Sequence, residues 1–260
     1  MNDSIVRMWL NLQSAMNSLR SGRKPPRRLP QEMLSRFTLD GQIPTMAWYL
    51  NDIKVGDIKW TTNSWWWNLK KVERKAEGYY KQTDTLLYEA LEDFPLRNKD
   101  VVIVGSEMPW YECICHYYGA SVTTIEYRDV KCEIPGLRVL TPSEFESSPR
   151  QFDAAISISS IEHDGLGRYG DPINPDGDLR AMKEIRKLLK PDGRLYLSVP
   201  VGRDVVVWNA HRIYGPVRMP MLLDGWEICG TYGYDDTSFQ RPLGIYDNQP
   251  VFVLKPEAEA

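Results

Sequence analysis

The sequence predicts an α/β protein: a doubly wound, mostly parallel sheet behind a helical and irregular N-terminal extension. Two observations carry this. From Tyr79 onward, short β-branched apolar runs alternate with amphipathic segments, the pattern of strands joined by crossover helices. The run Val101 to Val104 ends on Gly105 and leads straight into a helix start, VVIVGSEMPWYE, the shape of a strand–turn–helix unit.

The elements follow in order. Residues 5 to 19 place Ile5, Met8, Trp9, Leu12 and Met16 at helical spacing, and SGRKPPRRLP breaks that pattern with prolines and basic residues. Trp48, Trp60 and Ser64-Trp65-Trp66-Trp67 follow; three adjacent tryptophans cannot all face one side, so some are expected to cover the main domain or a ligand. We take residues 1–76 as a Trp-rich extension packing on the core, and 77–260 as the α/β domain. Within it, Thr85 to Leu91 reads as helix, Val101 to Val104 as a buried strand, and Pro109 to Tyr118 as a helix ended by Gly119. Ser121 to Glu126, Leu137 to Leu140 and Ala154 to Ile158 read as strands. Leu179 to Leu189 is amphipathic helix, with Asp176 and Asp178 as its expected caps. Lys190-Pro191-Asp192-Gly193 reads as a turn into the strand Arg194 to Val199, and Trp226 to Tyr232 and Val251 to Leu254 as late strands.

Composition excludes several classes. Hydrophobic residues make up 42% and charged residues 26% of 260, with a net charge of -3, so no global basic field argues for nucleic acid. No apolar run approaches a membrane span and the polar start is no secretory signal. Cys113, Cys115, Cys132 and Cys229 form no metal-type pair, which predicts reduced thiols in a cytoplasmic protein. With only His116, His163 and His211, no metal site is expected; the aspartates 164, 171, 176 and 178 miss the calcium-loop spacing. Oligomeric state is not legible.

The stretch VVIVGSEMPWYECICHYYGASVTTIEY resembles the first strand, loop, helix and second strand of class I S-adenosylmethionine-dependent methyltransferases, a Rossmann-like fold. QFDAAISISSIEH is similar to their fourth strand, IRKLLKPDGRLYLSVP to their helix, turn and fifth strand, and HRIYGPVRMPMLLDGWEI to the helix and sixth strand that follow. The resemblance runs from about residue 77 to 254. IEHDGLGRYGDPINPDGD resembles a narrower family, domain of unknown function 268, which transfers no chemistry.

The resemblance implies S-adenosylmethionine as cofactor and a small-molecule or glycan-like acceptor. In such a sheet the ligand lies beyond the carboxyl ends of the strands, where strand order reverses, so Gly105, Ser106, Glu126, Thr141, Ser159 and Pro200 line one rim. Glu126, closing the second strand, is implied to accept hydrogen bonds from the cofactor's ribose hydroxyls. Thr141 stands where an acid often meets the adenine, with Ser143 or Glu144 as stand-ins. The acid that family members place before the first glycine is Ile103 here. Glu107 either supplies that charge to the cofactor's cationic end or merely favours a helix start beside Pro109. After the fourth strand, His163 or Asp164 can take a proton from the acceptor, with His211 as the other candidate base. Arg168 can grip a phosphate or carboxylate, and Tyr169, Asn209, Arg212 and Tyr214 are the further acceptor-binding candidates. A polar loop capped by its own Asp and Gly residues is the structural alternative for this segment. A cofactor-poor scaffold that binds a ligand or protein through the tryptophan-rich extension is the alternative function.

Overall fold

The structure, a computed structural model, describes residues 24–53, 58–126, 128–241 and 248–258. The expected helix over residues 5 to 19 lies outside them. The strands are β1 (Thr45–Trp48), β2 (Ile58–Trp60), β3 (Asp100–Val104), β4 (Ser121–Ile125), β5 (Val130–Cys132), β6 (Arg138–Leu140), β7 (Phe152–Ile158), β8 (Leu189–Ser198), β9 (Val205–Asn209), β10 (His211–Ile213), β11 (Trp226–Tyr232) and β12 (Val251–Pro256). The helices are α1 (Leu34–Thr38), α2 (Thr62–Val72), α3 (Gln82–Asp93), α4 (Trp110–Tyr117), α5 (Pro142–Ser147), α6 (Gly177–Leu188) and α7 (Arg218–Leu222).

A 7-stranded sheet runs β11-β12-β8-β7-β3-β4-β6. β12 is antiparallel to both its neighbours, and all other pairings in this sheet are parallel. The chain leaves β3 towards β4 and β6 on one side and returns to β7 and β8 on the other, so strand order reverses between β3 and β7.

Both faces of the sheet are covered, and the alternation along each strand decides what goes where. Val101 and Ile103 of β3 pack with Leu87 and Leu91 of α3 and Cys113 and Ile114 of α4. Val102, pointing the other way, packs with Met182 and Ile185 of α6 and Met219 of α7. The fold is therefore α/β, doubly wound and mostly parallel, as the alternating pattern predicts.

Two local expectations change, and a third, on the tryptophan triplet, is met. The Lys190-Pro191-Asp192-Gly193 turn is absorbed into β8: Leu189 pairs with Phe152 and, past a shift in register, Arg194 with Ala154. Asp176 and Asp178 do not cap α6 through their side chains. Asp176 instead pairs with Arg36 at 2.8 Å, and Asp178 is drawn inward by buried arginines. The tryptophan triplet on α2 divides: Trp65 packs against the core, while Trp66 and Trp67 remain 52% and 63% exposed.

The segment before α3 is stitched to the main body by backbone pairing. β1 runs parallel to β9, which forms a hairpin with β10, giving a 3-stranded sheet β1-β9-β10. β2 runs parallel to β5. Among the described residues no helix is long and apolar enough to cross a membrane. All four cysteines are free thiols.

Candidate functional site

The point of strand reversal is flanked by two polar groups, one after β3 and β4 and one after β7. On the first side the chain turns at Gly105, whose φ of 74° suits glycine, and an added Cβ there would meet Ser160 Oγ at 3.3 Å. The Ser106 N–H donates to Glu126 Oε2 at 2.8 Å, and the Arg128 N–H donates to Glu126 Oε1 at 3.0 Å. The Glu126 carboxylate, buried where β4 ends, is thus oriented by one backbone donor on each oxygen.

Glu107 is half exposed at this rim. Its carboxylate faces Arg128 Nη1 at 3.4 Å, and its carbonyl accepts from the buried Trp60 indole N–H at 3.3 Å. α4 begins after Pro109 with no side-chain cap, so Glu107 does not serve the helix end as a cap. Thr141 is committed locally. It forms a capping box with Glu144 at the start of α5, accepting from the Glu144 N–H and donating to Glu144 Oε2 at 2.8 Å.

Beneath this turn lies a residue the sequence reading passed over. Glu112 of α4 is fully buried; Oε1 accepts from Thr124 Oγ1 at 2.8 Å and Oε2 has no partner. Burial pushes its pKa up to about 7, with the Glu126 charge adding to the rise. A signal existed: Glu112 is the one Asp, Glu, Lys or Arg between Met108 and Ile125.

On the second side, β7 ends at Ser159, a non-glycine residue at φ 49°. Ser159 Oγ donates to Glu162 Oε1 at 2.6 Å. Glu162 is fully buried, its Oε2 has no partner, and burial raises its pKa to about 7. The sequence places Glu162 at the head of the candidate loop but gives it no role of its own; its burial does. His163 Nδ1 lies 2.7 Å from the Ala210 carbonyl, which can only accept, and 3.3 Å from Arg168 Nη1; the much shorter carbonyl contact puts the proton on Nδ1 and leaves Nε2 its lone pair. Nε2 faces Glu162 Oε1 at 3.5 Å. Burial, then the Arg168 charge, lowers the His163 pKa to about 3. The same two causes bring His211 down to about 4. Both imidazoles are therefore neutral at pH 7. The His163 and His211 rings lie 6.3 Å apart, with Trp48 edge-on to His211 at 5.9 Å and Tyr169 edge-on to His163 at 5.6 Å.

The remaining candidates divide between this centre and its scaffold. Arg168 donates through Nε to Asp52 of the extension at 2.8 Å and through Nη1 to the Ala210 carbonyl at 3.2 Å, so its fork is largely engaged. Asn209 is buried and accepts from the Leu50 N–H at 2.8 Å. Asp164 is partly buried, and burial, then Asp171, holds its carboxyl well above the usual range. Arg212 lies in the interior and donates to the carbonyls of Asp164 (2.6 Å), Pro175 (3.1 Å) and Asn174 (3.3 Å). Tyr214, also buried, donates to Asp178 Oδ2 at 3.0 Å. Asp178 receives Arg218 in a two-pronged bond of 2.9 and 2.6 Å. Burial raises the Asp178 pKa, but the charges of Arg212 and Arg218 outweigh it and hold the group below its ordinary value. Asp171 accepts from the N–H groups of Gly165 and Gly167 at 2.8 and 3.0 Å, which ties the loop on itself. Arg212, Tyr214, Asp171 and Asp178 thus hold the loop.

Two cavities, of about 440 and 390 Å³, lie elsewhere. One sits between Trp66 of α2 and Tyr117 of α4, the other against the amino ends of β4 and β6, and neither borders the rim.

The profile of the family described as "Caenorhabditis protein of unknown function, DUF268" matches residues 98–243, more than half of the chain. The chain belongs to that family. The match runs from β3 to beyond β11 and holds Gly105, Glu126, Glu162, His163 and His211. No curated protein matches. Among solved structures, the chain is similar to a 1,6-didemethyltoxoflavin-N1-methyltransferase of Burkholderia thailandensis with 1,6-didemethyltoxoflavin and S-adenosylhomocysteine bound. That likeness has 15% identity over 91% of this chain and 94% of the other, with a TM-score of 0.48. It is also similar to the N-methyltransferase NodS of Bradyrhizobium japonicum, at 13% identity over 72% and 97% of the chains, with a TM-score of 0.43. An S-adenosylmethionine-dependent methyltransferase of Clostridium acetobutylicum matches at 11% identity over 75% and 99%, with a TM-score of 0.42.

Proposed function

We propose that the protein is an S-adenosylmethionine-dependent methyltransferase acting on a small-molecule or glycan-like acceptor. The observation that carries the reading is the Glu126 carboxylate at the end of β4, held by the Ser106 and Arg128 amides beside the Gly105 turn. A carboxylate so oriented at the end of the second strand suits the two hydroxyls of a ribose. Glu107, half exposed on the same rim, suits an ammonium or sulfonium group, which would compete with Arg128 for it. These residues fit the cofactor at its ribose and cationic ends; Thr141, engaged with Glu144, contributes nothing comparable.

When bound, S-adenosylmethionine supplies an electrophilic methyl group on sulfur, with the sulfur keeping the bonding pair as the methyl leaves. The protein's part is then to orient the acceptor and receive its proton. His163 Nε2, its tautomer fixed by the Ala210 carbonyl, presents a lone pair for that proton. An imidazole with a pKa of about 3 does not retain a proton at pH 7. Glu162, 3.5 Å from Nε2 and with a pKa of about 7, can retain it. In this arrangement His163 is the contact base and Glu162 the resting place of the proton. In this reading Asp164 and His211 line the site and do not begin the transfer.

Calorimetric titration with S-adenosylmethionine and S-adenosylhomocysteine tests the reading. Micromolar binding of either is the expected result. No detectable binding of either would turn the assignment to a non-catalytic scaffold, which the Glu107–Arg128 ion pair across the rim and the exposed Trp66 and Trp67 rings favour.

A further inference from the structure

We infer that the acceptor is an uncharged, hydroxyl-rich small molecule of the sugar or polyol class, held by Glu162, His211 and Asn209 between the rings of Trp48 and Tyr169. The inference names the substrate class of the second side of the crevice and so rests on the transferase reading. Glu162, His211 and Asn209 are each at least nine-tenths buried, and each has one polar atom without a partner: Glu162 Oε2, His211 Nε2 and Asn209 Nδ2. Leaving a buried polar atom unpaired costs about 1–3 kcal/mol, so three residues of one neighbourhood that each carry such an atom point to a ligand that pairs them.

They belong to one neighbourhood centred on His163. Glu162 lies 3.5 Å from its Nε2, the His211 ring is 6.3 Å away, and Asn209 and His211 flank Ala210, whose carbonyl holds His163 Nδ1 at 2.7 Å. The three open positions comprise an amide donor, a carboxyl oxygen and an imidazole nitrogen. Hydroxyl groups answer all of them, because each both donates and accepts.

The charges nearby already have partners. Arg168 is paired with Asp52, Asp178 with Arg212 and Arg218, and the Asp171 carboxylate with backbone amides. An anionic acceptor would enter beside the Glu162 carboxyl with every nearby cation already engaged, and a cationic one would meet the Arg168 and Arg212 charges that act on Glu162; a neutral one escapes both costs. The two aromatic rings complete the class. Trp48 is 36% and Tyr169 44% exposed, and although the Arg168 guanidinium lies 4.9 Å over the Tyr169 ring, both rings keep exposed aromatic surface for the C–H face of a sugar ring.

The test is saturation-transfer NMR on the full chain with methyl α-D-glucopyranoside and methyl α-D-galactopyranoside, against glucuronate and glucosamine as charged comparators. The expected result is transfer to at least one neutral glycoside in preference to both charged sugars. Trp48→Ala and Tyr169→Ala, which remove exposed rings and leave the core intact, should each reduce that transfer about fivefold. Transfer to neither glycoside, equal transfer to a charged sugar, or a signal unchanged in both variants overturns the inference. Titration with S-adenosylhomocysteine in parallel separates the two claims. Its binding without glycoside transfer overturns the ligand class and leaves the transferase reading; glycoside transfer without its binding upholds the ligand class and overturns that reading.

Discussion

The two sides of the crevice are built differently. After β3 and β4 the polar groups are arranged by backbone: Ser106 and Arg128 amides fix Glu126, and strand register sets where they meet. After β7 they come from segments far apart in the chain, Asp52, Glu162, His163, Asn209 and His211, and meet through side chains as well as the Leu50 amide and Ala210 carbonyl. Each side buries one carboxylic acid with an open oxygen, Glu112 and Glu162, both with a pKa of about 7. Only the second side adds neutral histidines. A side built within adjacent strand ends suits one invariant ligand, while a side gathered from distant segments can be remade for a particular acceptor without disturbing the sheet.

The largest effect should come from the anchor of the second side. Arg218→Met leaves Asp178 buried without its two-pronged partner, and chemical denaturation should show a loss of about 3–5 kcal/mol. A loss below about 1 kcal/mol would mean that the loop is not held there.

Next comes the pH dependence of stability, which separates the acids from the histidines. The folded pKa of Glu112, about 7, lies above its ordinary value of 4.5, so its stabilising contribution is full below 4.5 and is lost as pH rises to about 7. His163 and His211, lowered to about 3 and 4 from 6.5, act in the opposite sense, gaining stability as pH rises towards 6.5. Glu112→Gln should therefore make the stability change from pH 5 to pH 8 more favourable by about 2–3 kcal/mol than in the wild type. Parallel urea-denaturation curves for the two proteins would show that Glu112 does not titrate as a buried acid.

The smallest effect on stability belongs to the exposed rim. Glu107→Gln removes a partly solvated ion pair and should cost less than about 1 kcal/mol. It should nonetheless weaken S-adenosylmethionine binding several-fold; unchanged affinity would remove Glu107 from the cofactor site.

The contrast also explains how much was legible in the sequence. Gly105, Ser106 and Glu126 could be placed because a strand-and-turn pattern fixes its own neighbours, and the strands of the main sheet follow from apolar runs alone. β1, β9 and β10 escaped notice because short strands are defined by partners far off in the chain, Thr45 with Val206 and His211 with Val207. Arg212 and Tyr214 read as ligand-binding residues because their burial is a tertiary outcome, and both proved to hold the loop. Glu112 was missed, and Glu162 was given no role within its candidate loop, for the converse reason: an acid is taken as solvated until the fold shows it enclosed.

The central claim is that the two sides perform separate tasks, and titration of S-adenosylhomocysteine into wild type, Glu126→Gln and Glu162→Gln tests it most directly. We expect micromolar binding to the wild type, at least about tenfold weaker binding to Glu126→Gln, and affinity within about twofold of wild type for Glu162→Gln. No binding to the wild type, or an equal loss in both variants, would contradict the account.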